Sequence, residues 1–540
     1  MKESEYHTNI SKNFIKDFTD IDIQKNFILL LQEIKKILGT NKSHIDVKSY
    51  FLFKENNNID YIPEDGLPIA EVIKNVIINY LNNALNAYNG LLTCNVIPPV
   101  AVSALLAKIA CTFVNPNLVS ENYSGNLILA ESHAIAKLAK LIGYDSSKAG
   151  GYFIAGSTLG NLWSLRLAIE KYFKNYSKTG FSGINSKVAI VHSALGHYTN
   201  LHSARLFGVG TDNVITVNTG VDLRIDLDDF FEKVSKWLDN GYSIIYIYLI
   251  AGGTDTFAVD DISSIYKLSK NIFDKRSLPM PHIHIDAAIG WVYKFFDHYD
   301  LVKNELALKP SVVSSINEIQ KLYSCLDIAD SITLDIHKHG YAAYTSSAYI
   351  LKNKKDLSLL QKPDEETPYF NESLFMSFPG AYTNESSRPG EGALMFLANL
   401  AAMGVKGYQE VLSICISKIN YIKSALKEKS SDRIVIVNDS VPGSSCVWRI
   451  YPKNSNARHT LCDELLGNLS DEYTKIINDY NDSRFNQWRK IRKQEDPILG
   501  YSNQVALTKA SVAISGIKCV ILNPYTDPET IIKIALSMLN

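Results

Sequence analysis

The residues of this chain best suited to chemistry are a lysine, two carboxylates and two histidines, each standing where a short apolar run ends. Residues 329–341 read ADSITLDIHKHGY, an apolar strand running into a turn that holds Asp335, His337 and Lys338. An amine at such a place condenses with an aldehyde when desolvation and neighbouring cations lower its pKa. On residue type alone an exposed loop lysine is the simpler reading. Residues 282–290, HIHIDAAIG, close a second strand on Asp286. Burying a lone carboxylate is costly, so an acid there needs a partner. The protonated nitrogen of a flat heteroaromatic ring is a fitting one, because the carboxylate keeps the ring charged and able to accept an electron pair. Metal binding and capping of the next helix are the alternatives for Asp286. His282 and His284 alternate on the same strand, but no third ligand stands nearby and no metal site is expected.

Two further segments join these. Residues 150–161, GGYFIAGSTLGN, open a helix with small residues, leaving free N–H groups and a positive dipole end suited to a phosphate. A glycine-rich turn that merely starts a helix is the plainer alternative. His197 follows the strand KVAIV at 187–191, where its imidazole can lie over a flat ring, although a lone histidine is more often structural. Four such features in order, each at a strand or helix end, make the plain readings jointly improbable.

The elements that must position these residues form an α/β pattern. Short β-branched strands recur at 188–191, 214–217, 244–250, 282–286 and 331–335, each separated by enough chain for a crossover. That spacing implies a mostly parallel central sheet covered on both faces, with ligands outside the carboxyl ends of the strands. Residues 1–95 are helix-rich by pattern, as in NFILLLQEIKKIL and EVIKNVIINYLNNAL. A large domain is expected over 96–387 and a small α/β C-terminal domain over 388–540, where RIVIVND, SCVWRIY and KCVILNP read as strands.

Composition narrows the class. The 540 residues are 46% hydrophobic and 21% charged, the balance of a globular protein of two or three domains. The net charge is −1 and there is no long basic run, so nucleic acid is not an expected partner. Seven cysteines are scattered and never form a CxxC pair, which fits a reducing compartment. The polar first 25 residues lack a signal-peptide core, and no apolar run approaches the roughly 18 residues of a membrane span. A cytoplasmic location, away from membranes, is the expectation.

Taken together, these segments resemble the group II pyridoxal 5′-phosphate (PLP)-dependent amino acid decarboxylases of the fold-type-I, aminotransferase-like superfamily. The matching pieces are LTCNVIPP at 92–99, the helix at 131–143, GSTLGN at 156–161, HYT at 197–199, HIDAA at 284–288 and DIHK at 335–338. Within that family the likeness is to bacterial tyrosine decarboxylases, on ADSITLDIHKHGYAAY at 329–344, GTDTFAVDDI at 253–262 and GAYTNESSRPG at 380–390. The resemblance implies that Lys338 carries PLP as a Schiff base, Asp286 meets the pyridine nitrogen and His197 stacks on the ring. It also implies that Gly156, Ser157 and Thr158 meet the phosphate and that Ala288 packs against the cofactor. Gly253 and Thr254 match a turn beside it, Asp335 belongs to the cofactor-binding motif, and His337 would lie between cofactor and substrate. Tyr369, in DEETPYFNESLF, is the candidate for a loop tyrosine that returns a proton to the α-carbon; a surface tyrosine is the alternative.

The implied activity is removal of the α-carboxylate of an L-amino acid, with the likeness pointing to an aromatic, tyrosine-like one, to give an amine and CO2. A homodimer is implied in the same way. A carbon–carbon lyase resembling sphingosine-1-phosphate lyase, which shares the Ser-Arg-Pro-Gly segment at 387–390, and an oxidative deaminating variant are the rival enzymes. A degenerate binding paralogue is the non-enzymatic rival. The departures, Leu159, Gly253 and His339, border the expected site and bear on substrate more than on reaction type.

Overall fold

The computed structural model describes residues 21–39, 62–367, 378–453 and 456–540. These fall into two compact units. The first lies within Met1–Leu92 and Ile491–Ile498, and the second comprises Thr93–Lys490 and Leu499–Asn540. In the first, the expected helices appear at Ile21–Leu38 and as a helical stretch over 69–81.

The second unit is built on two sheets. The larger has seven strands in the order β1-β7-β6-β5-β4-β2-β3. They are β1 (Gly150–Ile154), β2 (Lys187–Ser193), β3 (Val214–Val217), β4 (Tyr242–Ile250), β5 (His282–Asp286), β6 (Ser331–Asp335) and β7 (Ser347–Leu351). β2 to β6 pair in parallel with their neighbours β3 to β6, and only β7 runs against the rest, paired with both β6 and β1. The mostly parallel sheet expected from strand spacing is therefore present. β1 and β7 are additions to the sequence reading, which took residues 150–161 as small residues opening a helix and assigned no strand there.

The smaller sheet is antiparallel, in the order β10-β11-β9-β8, from β8 (Ile434–Ile436), β9 (Ser445–Ile450), β10 (Gly500–Leu507) and β11 (Ala513–Val520). The helices Glu391–Lys429 and Pro528–Ser537 belong to the same unit.

The centre of the large sheet has two unlike faces, a direct product of period-two alternation. Ile283 and Ile285 of β5, Ile332 and Leu334 of β6, and Ala348 and Ile350 of β7 belong to the main apolar core. The opposite face carries His284 and Asp286, Ser331, Thr333 and Asp335, and Ser347, kept abreast by the pairings His284 with Ser331 and Asp335 with Ser347. The Ser157–Tyr172 helix covers this polar face. Gly160 makes the approach possible, since a Cβ there would lie 2.0 Å from Thr333 Cγ2. A buried polar layer needs internal partners, and the helix supplies them through Asn161 and Ser157.

Candidate active site

Each predicted site residue within the described residues stands at or just beyond the carboxyl end of a strand of the large sheet or opens the helix after one. Ser157 begins the helix that follows β1, His197 lies in the loop after β2, and Gly253 and Thr254 follow β4. Asp286 and Asp335 are the last residues of β5 and β6, and Lys338 lies in the turn after β6. These ends converge on one cavity of about 220 Å³. Lys338, Asp286 and His197 line it together, as do Gly156, Ser157 and Thr158. Gly253, Thr254, Ala288, Asp335 and His337 complete the set expected to touch the cofactor. Tyr369 lies outside the described residues.

The Lys338 Nζ is 2.9 Å from Asp335 Oδ2. Burial pushes the amine's pKa down, but the Asp335 carboxylate outweighs it and the net shift is upward. This corrects one element of the sequence reading. The charged groups around Lys338 are the carboxylates of Asp335 and Asp286, not cations, and the free amine is held as an ammonium. Burial likewise pushes Asp335 up, yet Lys338, His337 and two serine hydroxyls prevail and hold its carboxyl down at about 2.

Asp335 also reaches the helix opening, where it accepts from the Ser157 N–H at 3.1 Å and from the Ser157 hydroxyl at 2.6 Å. An anion thus already sits at this helix N-terminus, where N–H groups and dipole favour negative charge. The Ser157 N–H and hydroxyl both point to this carboxylate.

His197 Nδ1 lies 3.0 Å from Thr199 Oγ1, and burial lowers the pKa of the ring, so it is neutral. His337 Nδ1 is 2.8 Å from the carbonyl oxygen of Ser346, its ring packs 4.1 Å from that of Tyr344, and burial lowers its pKa too. Asp286 accepts from Ala288 N at 3.0 Å, from Asn161 Nδ2 at 3.0 Å and from the Tyr248 hydroxyl at 2.7 Å. The cavity therefore presents an amine, an anion-accepting helix end, a fixed carboxylate and a neutral imidazole around one space.

Residues 57–302 match the pyridoxal-dependent decarboxylase conserved domain. The chain carries that domain over a little under half of its length. Its cofactor is PLP and its class is the PLP-dependent carboxy-lyases. An L-2,4-diaminobutyrate decarboxylase of Rhizobium meliloti is 24% identical over 378 residues, which are 69% of this chain and 68% of that protein. An aspartate 1-decarboxylase of Aliivibrio fischeri is 23% identical over 60% of this chain and 57% of its own length. Among solved structures, Oryza sativa TDC with PLP and tryptamine superposes with a TM-score of 0.76 at 15% identity, covering 98% of this chain and all of that one. The glutamate decarboxylase domain of a Vibrio parahaemolyticus protein gives a TM-score of 0.73 at 17% identity, covering 99% and 98%. These structures establish the fold-type-I architecture.

The donor set lining the cavity fits PLP: Lys338 would supply the amine for the aldehyde, Asp286 would meet the ring nitrogen, and the Ser157 helix start would accept an anion. Sequence reasoning missed Asn161, Tyr248 and Tyr344, which also line the cavity. Asn161 stood inside a motif already singled out, and Tyr248 alternates with Tyr246 in β4, a polar period within an apolar run. The histidines of β5 are internal ligands: His282 Nε2 and His284 Nδ1 each lie 2.8 Å from Ser331 Oγ. Among the described residues, no three His, Cys, Asp or Glu side chains are grouped to hold a metal. No helix among them is long and apolar enough to cross a membrane. Arg388, of the Ser-Arg-Pro-Gly segment, is buried against Glu131 at 2.6 and 3.0 Å and against the Phe153 carbonyl at 2.9 Å. Its guanidinium is thereby committed to structure and not to a substrate phosphate.

Proposed function

We propose that this protein removes the α-carboxylate of an L-amino acid, releasing CO2 and the corresponding amine, and that the substrate side chain is aromatic and tyrosine-like. The convergence of Lys338, Asp286 and His197 on one cavity carries the reaction type. PLP, when bound, supplies the electron sink. In our reading Lys338 would hold the cofactor through its amine, and Asp335, 2.9 Å away, would keep that amine oriented. Asp286 would meet the ring nitrogen and favour its protonated form. His197 would pack against the ring, Ser157, Thr158 and Gly156 would hold the phosphate, and Ala288 would pack against the cofactor. His337 stands beside the substrate, and Tyr369 returns the proton to the α-carbon.

The aromatic assignment rests on the segments at 329–344, 253–262 and 380–390 and on the space next to the cavity. A cleft of about 240 Å³ shares His197, Gly253 and Thr254 with it and is walled by Leu195, Tyr198 and Val505. The carboxylate there, Asp255, pairs with Lys518 and accepts from Ser502 at 2.7 Å, so a cationic side chain such as that of diaminobutyrate finds it already engaged. We further propose a homodimer, supported by exposed Val102, Leu105, Leu106, Ile109 and Phe113 on the Val102–Val114 helix. A cytoplasmic location is supported by seven scattered cysteines with no disulfide among the described residues. The large and small domains at 96–387 and 388–540 remain part of this proposal.

The test is a screen of the PLP-loaded protein against the amino acids, with CO2, amine and oxygen consumption followed together. We expect stoichiometric CO2 and tyramine from tyrosine without oxygen uptake. CO2 from diaminobutyrate but not from aromatic substrates would overturn the side-chain assignment alone. No CO2 from any amino acid would overturn the reaction. Tyr369→Phe should retain bound cofactor while amine production collapses; unchanged turnover removes Tyr369 from the mechanism.

A further inference from the structure

The two oxygens of Asp286 are held differently. Oδ1 accepts only a backbone N–H, that of Ala288, among the described residues. Oδ2 accepts from both Asn161 Nδ2 and the Tyr248 hydroxyl. A carboxylate offers about four acceptor positions, so these bonds leave one, and Asp286 lines the cavity. The Asn161 amide cannot be turned over. Its Oδ1 accepts from Thr333 Oγ1 at 3.0 Å and lies 3.0 Å from His284 Nε2, which directs the NH2 group to Asp286.

Tyr248 stands in the apolar run of β4, in register with His284, and is fully buried. Phenylalanine would fill the same volume, so packing accounts for the ring and leaves the hydroxyl to be explained. That hydroxyl is 2.7 Å from Asp286 Oδ2, the range of a charge-assisted O–H···O⁻ bond at about 2.5–2.7 Å. Burial, and then the Asp286 charge, push the phenol's pKa well above its ordinary value, so it remains a donor. Tyr246, two residues earlier on the same strand face, gives a contrast. Its hydroxyl pairs with Ser164 Oγ at 2.7 Å.

We propose that Tyr248 is a positioning residue for the reaction: its hydroxyl turns Asp286 so that the open acceptor position meets the cofactor's ring nitrogen. The proposal rests on the role given to Asp286 above. A carboxylate held in that orientation would accept from the ring nitrogen, which favours the protonated, positively charged ring. Without the Tyr248 donor the carboxylate is free to turn away, and the ring would lose that support and become a poorer electron acceptor.

The experiment loads the protein with PLP isotopically labelled at the ring nitrogen and follows that resonance against pH in wild type, Tyr248→Phe, Tyr246→Phe and Asp286→Asn. In Tyr248→Phe the resonance should move toward the unprotonated position, with kcat lower by about tenfold and KM unchanged within about twofold. Tyr246→Phe should match wild type. Fluorotyrosine at position 248, a stronger donor of nearly the same size, should move the resonance the other way, which keeps the test decisive if Tyr248→Phe binds cofactor poorly. A wild-type resonance in both position-248 variants, with Asp286→Asn shifted, overturns the role of Tyr248 alone. An unshifted Asp286→Asn overturns the assignment of Asp286 itself.

Discussion

Two buried cation–carboxylate pairs show what distinguishes a structural ion pair from a chemical one. Arg449, on β9 of the smaller sheet, and Glu464, on the helix Ala457–Leu466, are fully buried and joined through Nε at 3.2 Å and Nη2 at 2.8 Å. The remaining guanidinium donors go to Asn478, Ser515 and Thr474, and Glu464 also accepts from Tyr451. Beside the cavity, Lys338 and Asp335 form a pair of similar length, but the lysine side chain is 21% exposed. Arginine carries a fixed fork of donors that does not deprotonate, whereas lysine is a compact amine that can lose its proton and act as a nucleophile. The closed pair has every donor matched and no space beside it. The open pair keeps one member fixed by Ser157 and leaves the other facing a cavity.

The largest expected effect separates the two at once. Lys338→Ala should abolish turnover and covalent retention of PLP, shown by loss of the borohydride-fixed adduct in mass spectrometry, yet cost only about 1–2 kcal/mol in urea unfolding because Asp335 keeps its serine donors. A stability loss comparable to that of a closed pair would mean that Lys338 is a structural ion after all. Arg449→Leu should do the reverse. Leaving Glu464 buried without its cation costs about 3–5 kcal/mol, while kcat per bound cofactor stays at the wild-type value. Replacing both with Arg449→Leu and Glu464→Leu should restore most of that stability, since a matched apolar pair avoids the desolvation penalty. A double variant no more stable than the single one would show that the pair itself, not the orphaned charge, holds the sheet.

The same contrast explains what could be read from the sequence. Period-two alternation in HIHID and SITLD announced both the strands and the polar face, and the acids closing them marked the ends where the site lies. The central strands and the Lys338, Asp286 and His197 triangle were legible for that reason. β1 was not, because Gly150-Gly151 reads as a turn. In the structure Gly151 is a strand residue at φ 148°, and a Cβ on it would fall 2.1 Å from the Tyr349 carbonyl oxygen. β10 begins Gly-Tyr-Ser-Asn-Gln, with no apolar alternation and an irregular register between Ser502 and Ala506. The partners inside the site were also hidden. Asp335 finds Ser157 across 178 residues, and Tyr248 finds Asp286 across 38, within a run whose hydrophobicity masks the phenol. Local pattern places a residue at a strand end but does not say which distant donor it will meet.

The smallest predicted effect sharpens the comparison through pH. The carboxyl of Asp335 sits at about 2 in the folded protein against an ordinary 3.8. A depressed folded value means stability that is fully present above the unfolded pKa and lost as pH falls through the folded one. The interval corresponds to about 2 kcal/mol, an interaction shared with Lys338 and so counted once. Wild type and Asp335→Asn should therefore differ by a constant amount in urea unfolding between about pH 8 and pH 5, and the gap should narrow as pH drops toward about 3. A gap that keeps its full size down to that pH would mean that Asp335 holds the Ser157 helix start by hydrogen-bond geometry alone, without its charge.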